Sequence, residues 1–204
     1  MVMQILKKLF LLTLLFGKLL AAPHKFIFSG GPGCGKTTVL LALQTMGYQV
    51  CPEAYCALYR EARANGTLNK FCEDLIYQRY LIMQRHEDQE SQLDPARPAF
   101  LDRSIPDVIF YGNYFNVAMP EDLIQKFERH KAGYAIVFFF EPVPAHLYQP
   151  TDVRLESRAE ALKIHQALLA GYEHQGFKIV HVPFDAVEKR VKFILNEIQP
   201  YLHS

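Results

Sequence analysis

The chain has 204 residues and a formal net charge of +1, and half of its residues are hydrophobic. This length suits one α/β domain with a sizeable core, and the near-neutral charge gives no basic excess that would indicate nucleic-acid binding. Its cysteines show neither a C-x-x-C pair nor a zinc-like spacing with histidine, so we expect reduced thiols and no zinc site. The four are Cys34, Cys51, Cys56 and Cys72.

Residues 1–22 resemble a secretory signal, because Lys7-Lys8 precede a short apolar run that small residues follow. The apolar run is too short to span a bilayer. Three interpretations remain open: a signal or membrane-surface anchor, non-native residues added by an upstream start codon, and an extra helix packed on the domain. We predict a domain of residues 23–204 in a cytoplasmic protein, with peripheral membrane contact through residues 5–20, or export, as the alternatives.

Residues 30–37 have the sequence Gly-Gly-Pro-Gly-Cys-Gly-Lys-Thr, which fits the phosphate-binding pattern G-x-x-x-x-G-K-[ST] at every fixed position. The run at 25–29 predicts a strand before this loop, and residues 38–44 predict a helix after it. In that context the backbone N–H groups and the helix N-terminus bind phosphate. Lys36 would reach the β- and γ-phosphates, and the Thr37 hydroxyl would hold Mg²⁺.

The sequence therefore predicts a bound nucleotide, ATP with GTP as the alternative, together with Mg²⁺. The predicted nucleotide contacts are Gly31, Pro32, Gly33, Cys34, Gly35, Lys36, Thr37 and Thr38.

Strands alternate with helices along the rest of the chain, which predicts an α/β fold of the P-loop NTPase type with a five-stranded parallel sheet and helices on both faces. The further predicted elements are a strand at 48–51, a helix at 53–64, one long helical segment at 70–90, a strand at 98–101, helices at 105–115 and 120–131, a strand at 134–140, a helix at 152–174, a strand at 177–182 and a helix at 186–198. Functional groups should gather where the strands end.

The polar residues that follow strands are Glu53, Asp102, Arg103 and Glu141. Asp102 has the position of a Walker-B acid, which holds Mg²⁺, although an Asp there could also cap the next helix. Glu53 could take a proton from an acceptor hydroxyl, or could simply begin a helix where the dipole favours an acid. Arg103 could bind phosphate or pair with an acid.

Three further side chains are candidates by their helix positions. Arg154 and Arg158 are four residues apart and so share a helix face; above the nucleotide they would neutralise charge and exclude water. A solvated face is the alternative for this pair. Gln78 lies on the apolar stripe of its helix and could contact a base or amide of the acceptor, the alternative being a partly exposed residue without a role.

Four sequence blocks resemble a family of AAA-labelled NTPase domains that is related to the nicotinamide riboside kinase domain of the NadR type and includes the TTD14 proteins of animals. They are Gly-Gly-Pro-Gly-Cys-Gly-Lys-Thr-Thr at 30–38, Pro-Glu-Ala at 52–54, Leu-Asp-Arg-Ser-Ile-Pro-Asp at 101–107 and Asp-Val-Arg-Leu-Glu-Ser-Arg-Ala-Glu-Ala at 152–161. The similarity covers residues 24–184.

The wider resemblance is to nucleoside and nucleotide kinases, and it implies a base at Glu53, an acid-Arg-Ser triplet that begins at Asp102, and lid arginines. Gln78 matches the base-contacting glutamine of deoxyribonucleoside kinases only loosely. The implied catalytic residues are Lys36, Glu53, Asp102, Arg103, Arg154 and Arg158. The implied substrate-binding residues are Glu53, Gln78 and Arg103, and the implied metal ligands are Thr37 and Asp102.

The resemblance implies that the protein is an ATP-dependent kinase. Such an enzyme moves the γ-phosphate to a hydroxyl of a small-molecule acceptor, such as a nucleoside or riboside. The alternative is an ATP- or GTP-dependent hydrolase or switch that acts through a protein or lipid partner, since the TTD14-type relatives imply GTP and phospholipid binding. A remodelling motor is disfavoured, because the sequence has no convincing sensor arginines and no second small helical domain.

Overall fold

The computed structural model describes residues 24–149 and 156–202. The strands are β1 (Lys25–Ser29), β2 (Gln49–Cys51), β3 (Ala99–Asp102), β4 (Tyr134–Phe140) and β5 (Ile179–Val182). The α-helices are α1 (Lys36–Thr45), α2 (Ala54–Ala64), α3 (Leu68–Glu73), α4 (Leu75–Ser91), α5 (Ile105–Tyr114), α6 (Glu121–Lys131), α7 (Arg158–His174) and α8 (Val187–Ile198). Short 3-10 helices cover Ala145–Leu147 and Gln199–Tyr201.

The strands form one parallel sheet in the order β2-β3-β1-β4-β5, which confirms the expected five-stranded parallel sheet. The chain runs from central β1 to the edge strand β2, returns through β3, and then adds β4 on the other side of β1. The order of connections therefore reverses beside β1. The carboxyl ends of β1 and its two neighbours border a crevice at such a reversal, which is where open α/β sheets bind ligands.

Two apolar layers cover the two faces of the sheet, because successive side chains of each strand point to opposite sides. Phe26 and Phe28 of β1 pack in the layer with α1 and α8, whereas Ile27 packs in the layer with α2, α4, α5 and α7. Strand β4 is nearly continuous in buried apolar side chains, as the run at 134–140 predicts for a strand covered on both faces.

Two helices differ from the sequence prediction by more than a one- or two-residue shift at an end, and a capping side chain sets the start of each. The segment predicted as one helix at 70–90 is two helices, because the Asp74 carboxylate accepts a hydrogen bond from Tyr77 N (2.9 Å) and starts α4 anew. The helix predicted from residue 152 begins at Arg158, where the Ser157 hydroxyl accepts from Glu160 N (3.2 Å). Polar side chains that satisfy free N–H groups favour such starts.

Parts of the sequence prediction lie outside the described residues. They include the segment 1–22, its membrane contact through residues 5–20, and Arg154. Of the helices in the described part of the chain, none has both the length and the apolar character needed to cross a membrane.

Candidate functional site

The glycine-rich loop joins β1 to α1 at the crevice of the sheet. The Lys36 side chain is buried and folds back across this loop, so that its Nζ donates to the carbonyl oxygens of Gly30 (3.3 Å) and Gly31 (3.1 Å). The same ammonium lies 3.4 Å from Cys34 Sγ. A positive charge is therefore fixed in the centre of the loop, and no carboxylate from residues 24–149 or 156–202 is bonded to it.

Two of the glycines are required by what packs on the loop. A Cβ on Gly31 would lie 2.7 Å from the carbonyl oxygen of Ala161 in α7. Gly33 has φ +76°, and a Cβ there would lie 2.9 Å from the Tyr148 ring. Helix α7 and the segment around Tyr148 thus lie directly against the loop, with no space for a side chain.

His165 of α7 binds the loop backbone. Its Nδ1 accepts a hydrogen bond from Gly31 N (3.3 Å), and this role requires a neutral ring with the proton on the other nitrogen. Burial lowers the pKa of His165, which keeps the ring neutral near pH 7. One of the loop amides that could bind phosphate is therefore held by a helix.

Thr37 and Asp102 form the candidate metal-binding pair. The Thr37 hydroxyl donates to Asp102 Oδ2 at 2.5 Å, and the other carboxylate oxygen of Asp102 is buried without a hydrogen-bond partner. Burial raises the pKa of Asp102, although the nearby Lys36 ammonium opposes this shift. A hydroxyl beside an unpartnered carboxylate oxygen is the type of ligand set that Mg²⁺ takes, and the pair fits the ion that accompanies a nucleotide.

Residues 24–149 and 156–202 contain no group of three or more His, Cys, Asp or Glu side chains that could hold a metal ion. The Thr37–Asp102 pair would therefore need oxygen ligands from phosphate and water to complete the coordination of Mg²⁺. Cys34, Cys51, Cys56 and Cys72 form no disulfide bond within the described residues.

Arg103 connects Glu53 to a second carboxylate. Glu53 precedes α2, and its Oε1 accepts from Arg103 Nε at 3.0 Å; Arg103 Nη1 lies 3.3 Å from Asp107 Oδ1. The Arg103 guanidinium also lies over the Tyr111 ring, 4.8 Å from its centroid. Burial opposes its charge, but Tyr111 and the two carboxylates outweigh burial and hold the pKa of Arg103 well above its ordinary value.

Asp107 is a site residue that the sequence analysis did not select. Besides Arg103, its carboxylate accepts hydrogen bonds from the Ser29 hydroxyl (2.7 Å), Ser104 N (3.1 Å) and the Tyr172 hydroxyl (2.7 Å). It therefore ties the end of β1, the start of α5 and α7 together beneath the site. The spacing from Ser104 to Asp107 resembles a capping box, which is the signal that could have identified it.

A cavity of about 280 Å³ opens beside the phosphate loop and contains the predicted acceptor side of the site. Its lining includes Pro32 of the loop as well as Glu53, Gln78, Arg79, His86, Arg103, Asp107, Tyr111, Phe115 and Glu156. Gln78 is buried rather than partly exposed, and its Nε2 donates to Phe71 O at 2.9 Å. The structure thus brings all three predicted substrate-binding residues to one cavity.

Other predicted residues have less central positions. Arg158 begins α7 and lies beside Pro32 and Tyr148, with its Nε buried and without a hydrogen-bond partner. Thr38 is exposed in the first turn of α1. Glu141 contacts His181 Nδ1 at 2.8 Å on the surface and does not line the cavity.

Arg190 of α8 is another residue near the loop that sequence analysis missed. It lies at hydrogen-bonding distance from the Cys34 carbonyl (3.5 Å), and a Cβ on Gly35 would lie 2.9 Å from its Nη1. Burial lowers the pKa of Arg190. No local pattern could have identified it, because 156 residues separate it from Cys34.

The fold is shared with several kinases of known structure. A NadR protein in complex with NAD and AMP-PNP superposes with a TM-score of 0.58 and 18% identity, covering 90% of this chain and 50% of NadR. Thymidylate kinase from Ehrlichia chaffeensis superposes with a TM-score of 0.61 and 13% identity, covering 87% of this chain and 99% of that kinase. Deoxyadenosine kinase from M. mycoides superposes with a TM-score of 0.55 and 14% identity, covering 86% of this chain and 98% of that kinase. The chain spans about half the length of NadR.

No curated protein sequence matches the chain significantly. A family model described as an AAA domain matches residues 25–190, which include the phosphate loop, the Thr37–Asp102 pair and Arg190. Since this match covers most of the chain, the protein belongs to the AAA domain family, and it has the α/β P-loop NTPase fold.

Proposed function

We propose that the protein is an ATP-dependent phosphotransferase that moves the γ-phosphate of ATP to a hydroxyl of a small, nucleoside- or riboside-like acceptor. The observation that carries the proposal is the cavity beside the phosphate loop that Glu53, Gln78 and Arg103 line together. A hydrolase needs only water at that point, whereas a cavity of about 280 Å³ can hold the reacting end of an organic acceptor.

On the donor side, the loop would bind the phosphates of ATP. The Lys36 ammonium now donates to the loop carbonyls, and a phosphate in the loop would accept those hydrogen bonds instead. Mg²⁺, held by Thr37 and Asp102, would offset the charge of the β- and γ-phosphates. GTP is the alternative donor.

On the acceptor side, Glu53 would take the proton of the hydroxyl as that oxygen attacks the γ-phosphorus. The Arg103 guanidinium holds the Glu53 carboxylate at 3.0 Å and is itself held by Asp107, so the base has a fixed position. Gln78 would contact the ring or amide of the acceptor from the wall of the cavity.

Over the loop, Tyr148 and Arg158 would exclude water from the reacting atoms. The Tyr148 hydroxyl donates to Glu156 O at 2.8 Å and thereby links the segment around it to the start of α7. Arg158, with Arg154 from outside the described residues, would neutralise charge on the transferred group.

The test is acceptor-dependent ADP formation by the purified protein, measured with ATP and Mg²⁺ across a panel of nucleosides, ribosides and their monophosphates. We expect at least one acceptor to increase ADP formation and to be recovered in phosphorylated form. ADP formation that no acceptor changes would count against the proposal and would favour a nucleotide-dependent hydrolase or switch. Comparing ATP with GTP in the same assay identifies the donor. Expressing residues 23–204 alone would test the proposed domain boundary.

A further inference from the structure

Arg79 lies in the wall of the acceptor cavity, and none of the described carboxylates pairs with it. Its side chain is 4% exposed, and its Nε is buried with no hydrogen-bond partner. Within residues 24–149 and 156–202, no carboxylate forms an ion pair with it. Its contacts are two aromatic rings, with the guanidinium carbon 5.9 Å from the Tyr111 centroid and 5.8 Å from that of Phe115.

Two other arginines of the protein, by contrast, have acidic partners. Arg103, in the same cavity, is neutralised by two carboxylates, and Arg85, on the same helix as Arg79, makes a two-point contact with Glu61 (3.1 and 2.8 Å). Burial lowers the pKa of Arg79 to about 10, so the side chain remains charged at neutral pH. Arg79 is therefore a buried cation that lines the cavity and that no carboxylate in the described part of the chain neutralises.

Stabilisation of the ligand-free fold does not explain this placement. Removing an ion from water costs more free energy, even after relaxation, than a cation over an aromatic ring recovers. The two ring contacts, each near the 6 Å limit for such interactions, offset only part of that cost. A buried charge that destabilises the ligand-free protein is typical of a group that binds a ligand.

The position of Arg79 relative to the candidate base indicates how a ligand would lie. Arg79 and Arg103 both contact the ring of Tyr111, at 5.9 and 4.8 Å, and Arg103 binds Glu53. An acceptor that spans the Tyr111 ring can therefore place its hydroxyl at Glu53 and another of its groups at Arg79.

We propose that Arg79 binds an anionic group of the acceptor, a phosphate monoester or a carboxylate, and so selects charged acceptors over neutral ones. A planar guanidinium without a protein acid matches such an anion in shape and charge. The inference rests on the proposed phosphotransferase function and adds the charge class of its substrate.

The experiment compares matched acceptors in the full-length protein: uridine, which is neutral; orotidine, which adds a carboxylate to the ring; and uridine 5′-monophosphate, which adds a phosphate. The pair adenosine with AMP extends the comparison to a purine ring, and nicotinamide riboside with nicotinic acid riboside adds a carboxylate to a cationic ring. The variants are Arg79→Gln, Arg79→Lys as a partial rescue, and Arg85→Gln as a surface control on the same helix. Comparing orotidine with uridine 5′-monophosphate shows whether the anionic group that Arg79 binds is a carboxylate or a phosphate.

We expect the wild type to use an anionic member better than its neutral partner. Arg79→Gln should lower kcat/KM for that member by about 10²-fold, because a desolvated charge pair loses one partner, with little effect on the neutral one. Arg79→Lys should recover part of the loss. Equal effects of Arg79→Gln on charged and neutral acceptors, or no effect on either, would overturn the proposal.

A binding measurement keeps this inference separate from the proposed function. If no acceptor increases ADP formation by the wild type, the proposed function fails, and the inference is then judged by melting temperatures with ADP and Mg²⁺ present. Orotidine or a nucleoside monophosphate should raise the melting temperature of the wild type and of Arg85→Gln, but not that of Arg79→Gln. Identical shifts in all three proteins would refute the role of Arg79.

Discussion

The Glu53 carboxylate lies 3.0 Å from Arg103 Nε, although 50 residues separate the two in the chain. Both side chains are almost fully buried, with 10% and 6% exposed. Because Arg103 is also bonded to Asp107, the orientation of Glu53 is set by α5 as well as by α2, whose Cys56 thiol donates to Glu53 Oε2 at 2.9 Å. A carboxylate held in this way can accept a proton without first being ordered.

Replacing Glu53 with Gln should separate catalysis from nucleotide binding. Glu53→Gln keeps the shape and leaves Arg103 paired with Asp107, so the fold and nucleotide affinity should stay near those of the wild type. If Glu53 is the base, phosphate transfer should fall by roughly 10²–10⁴-fold. Glu61→Gln, an exposed acid of α2, is the control for a surface change on that helix. Unchanged turnover would reduce Glu53 to a helix-start acid.

Lys36→Ala should abolish nucleotide binding while leaving the fold stable. The ammonium donates to loop carbonyls and makes no ion pair with a described carboxylate, so its removal breaks no salt bridge and only weakens its attraction to the nearby Asp102. Calorimetric titration with ATP and Mg²⁺ measures the loss, and Lys163→Ala, 69% exposed on α7, is the control. ATP affinity retained by Lys36→Ala would contradict the assignment of the loop as the phosphate site.

Asp102→Asn should stabilise the ligand-free protein at neutral pH. Burial raises the pKa of Asp102, so the folded protein binds a proton at this carboxylate more tightly than the unfolded chain does. Proton binding therefore stabilises the folded protein below the ordinary Asp pKa of about 4, and this stabilisation is lost as the pH rises through the raised pKa of Asp102. The melting temperature of Asp102→Asn without Mg²⁺ should therefore exceed that of the wild type at pH 7.

That difference in melting temperature should vanish toward about pH 4, where both side chains are neutral. Asp88→Asn, an exposed position on α4, controls for the loss of one surface charge. With ADP and Mg²⁺ the order should reverse, because the variant lacks a metal ligand. A variant less stable than the wild type at pH 7 without ligand would show that Asp102 is mainly structural.

Gly31→Ala should destabilise the protein by about 1–3 kcal/mol, the usual cost of forcing atoms into a packed site. The new Cβ would lie 2.7 Å from Ala161 O, which is backbone and cannot rotate away, so α7 must move. Gly66→Ala is the control, since its φ of +71° is strained for alanine but its Cβ meets nothing within 4 Å. Thermal unfolding of both variants provides the comparison, and equal losses would argue against tight packing of α7 on the loop.

The sheet and the donor loop could be predicted because their signals are local. The pattern at 30–37 and the apolar run at 134–140 each occupy one short stretch, and hydrophobic patterning alone indicates their structure. The break at Asp74 could not be predicted from periodicity, since the apolar stripe continues across it. Only the side-chain cap marks the new helix.

The acceptor side was harder to predict because its chemistry depends on what is absent around a residue. Arg79 and Gln78 are neighbours in one helix, and nothing in the sequence shows that one is hydrogen-bonded while the other lacks a described acid. Likewise, the partners of Asp107 come from β1, α5 and α7, which only the folded chain brings together.

The hydrogen bond from Gly31 N to His165 Nδ1 has a consequence for communication within the molecule. A backbone amide carries one hydrogen, so a phosphate oxygen and His165 compete for it. Phosphate binding to the loop should therefore weaken the hydrogen bond that attaches α7, the helix that begins at Arg158, to the loop. By thermodynamic reciprocity, any contact that fixes α7 against the loop should weaken nucleotide affinity by the same factor. Competition for the Gly31 amide would then couple nucleotide binding to the position of α7.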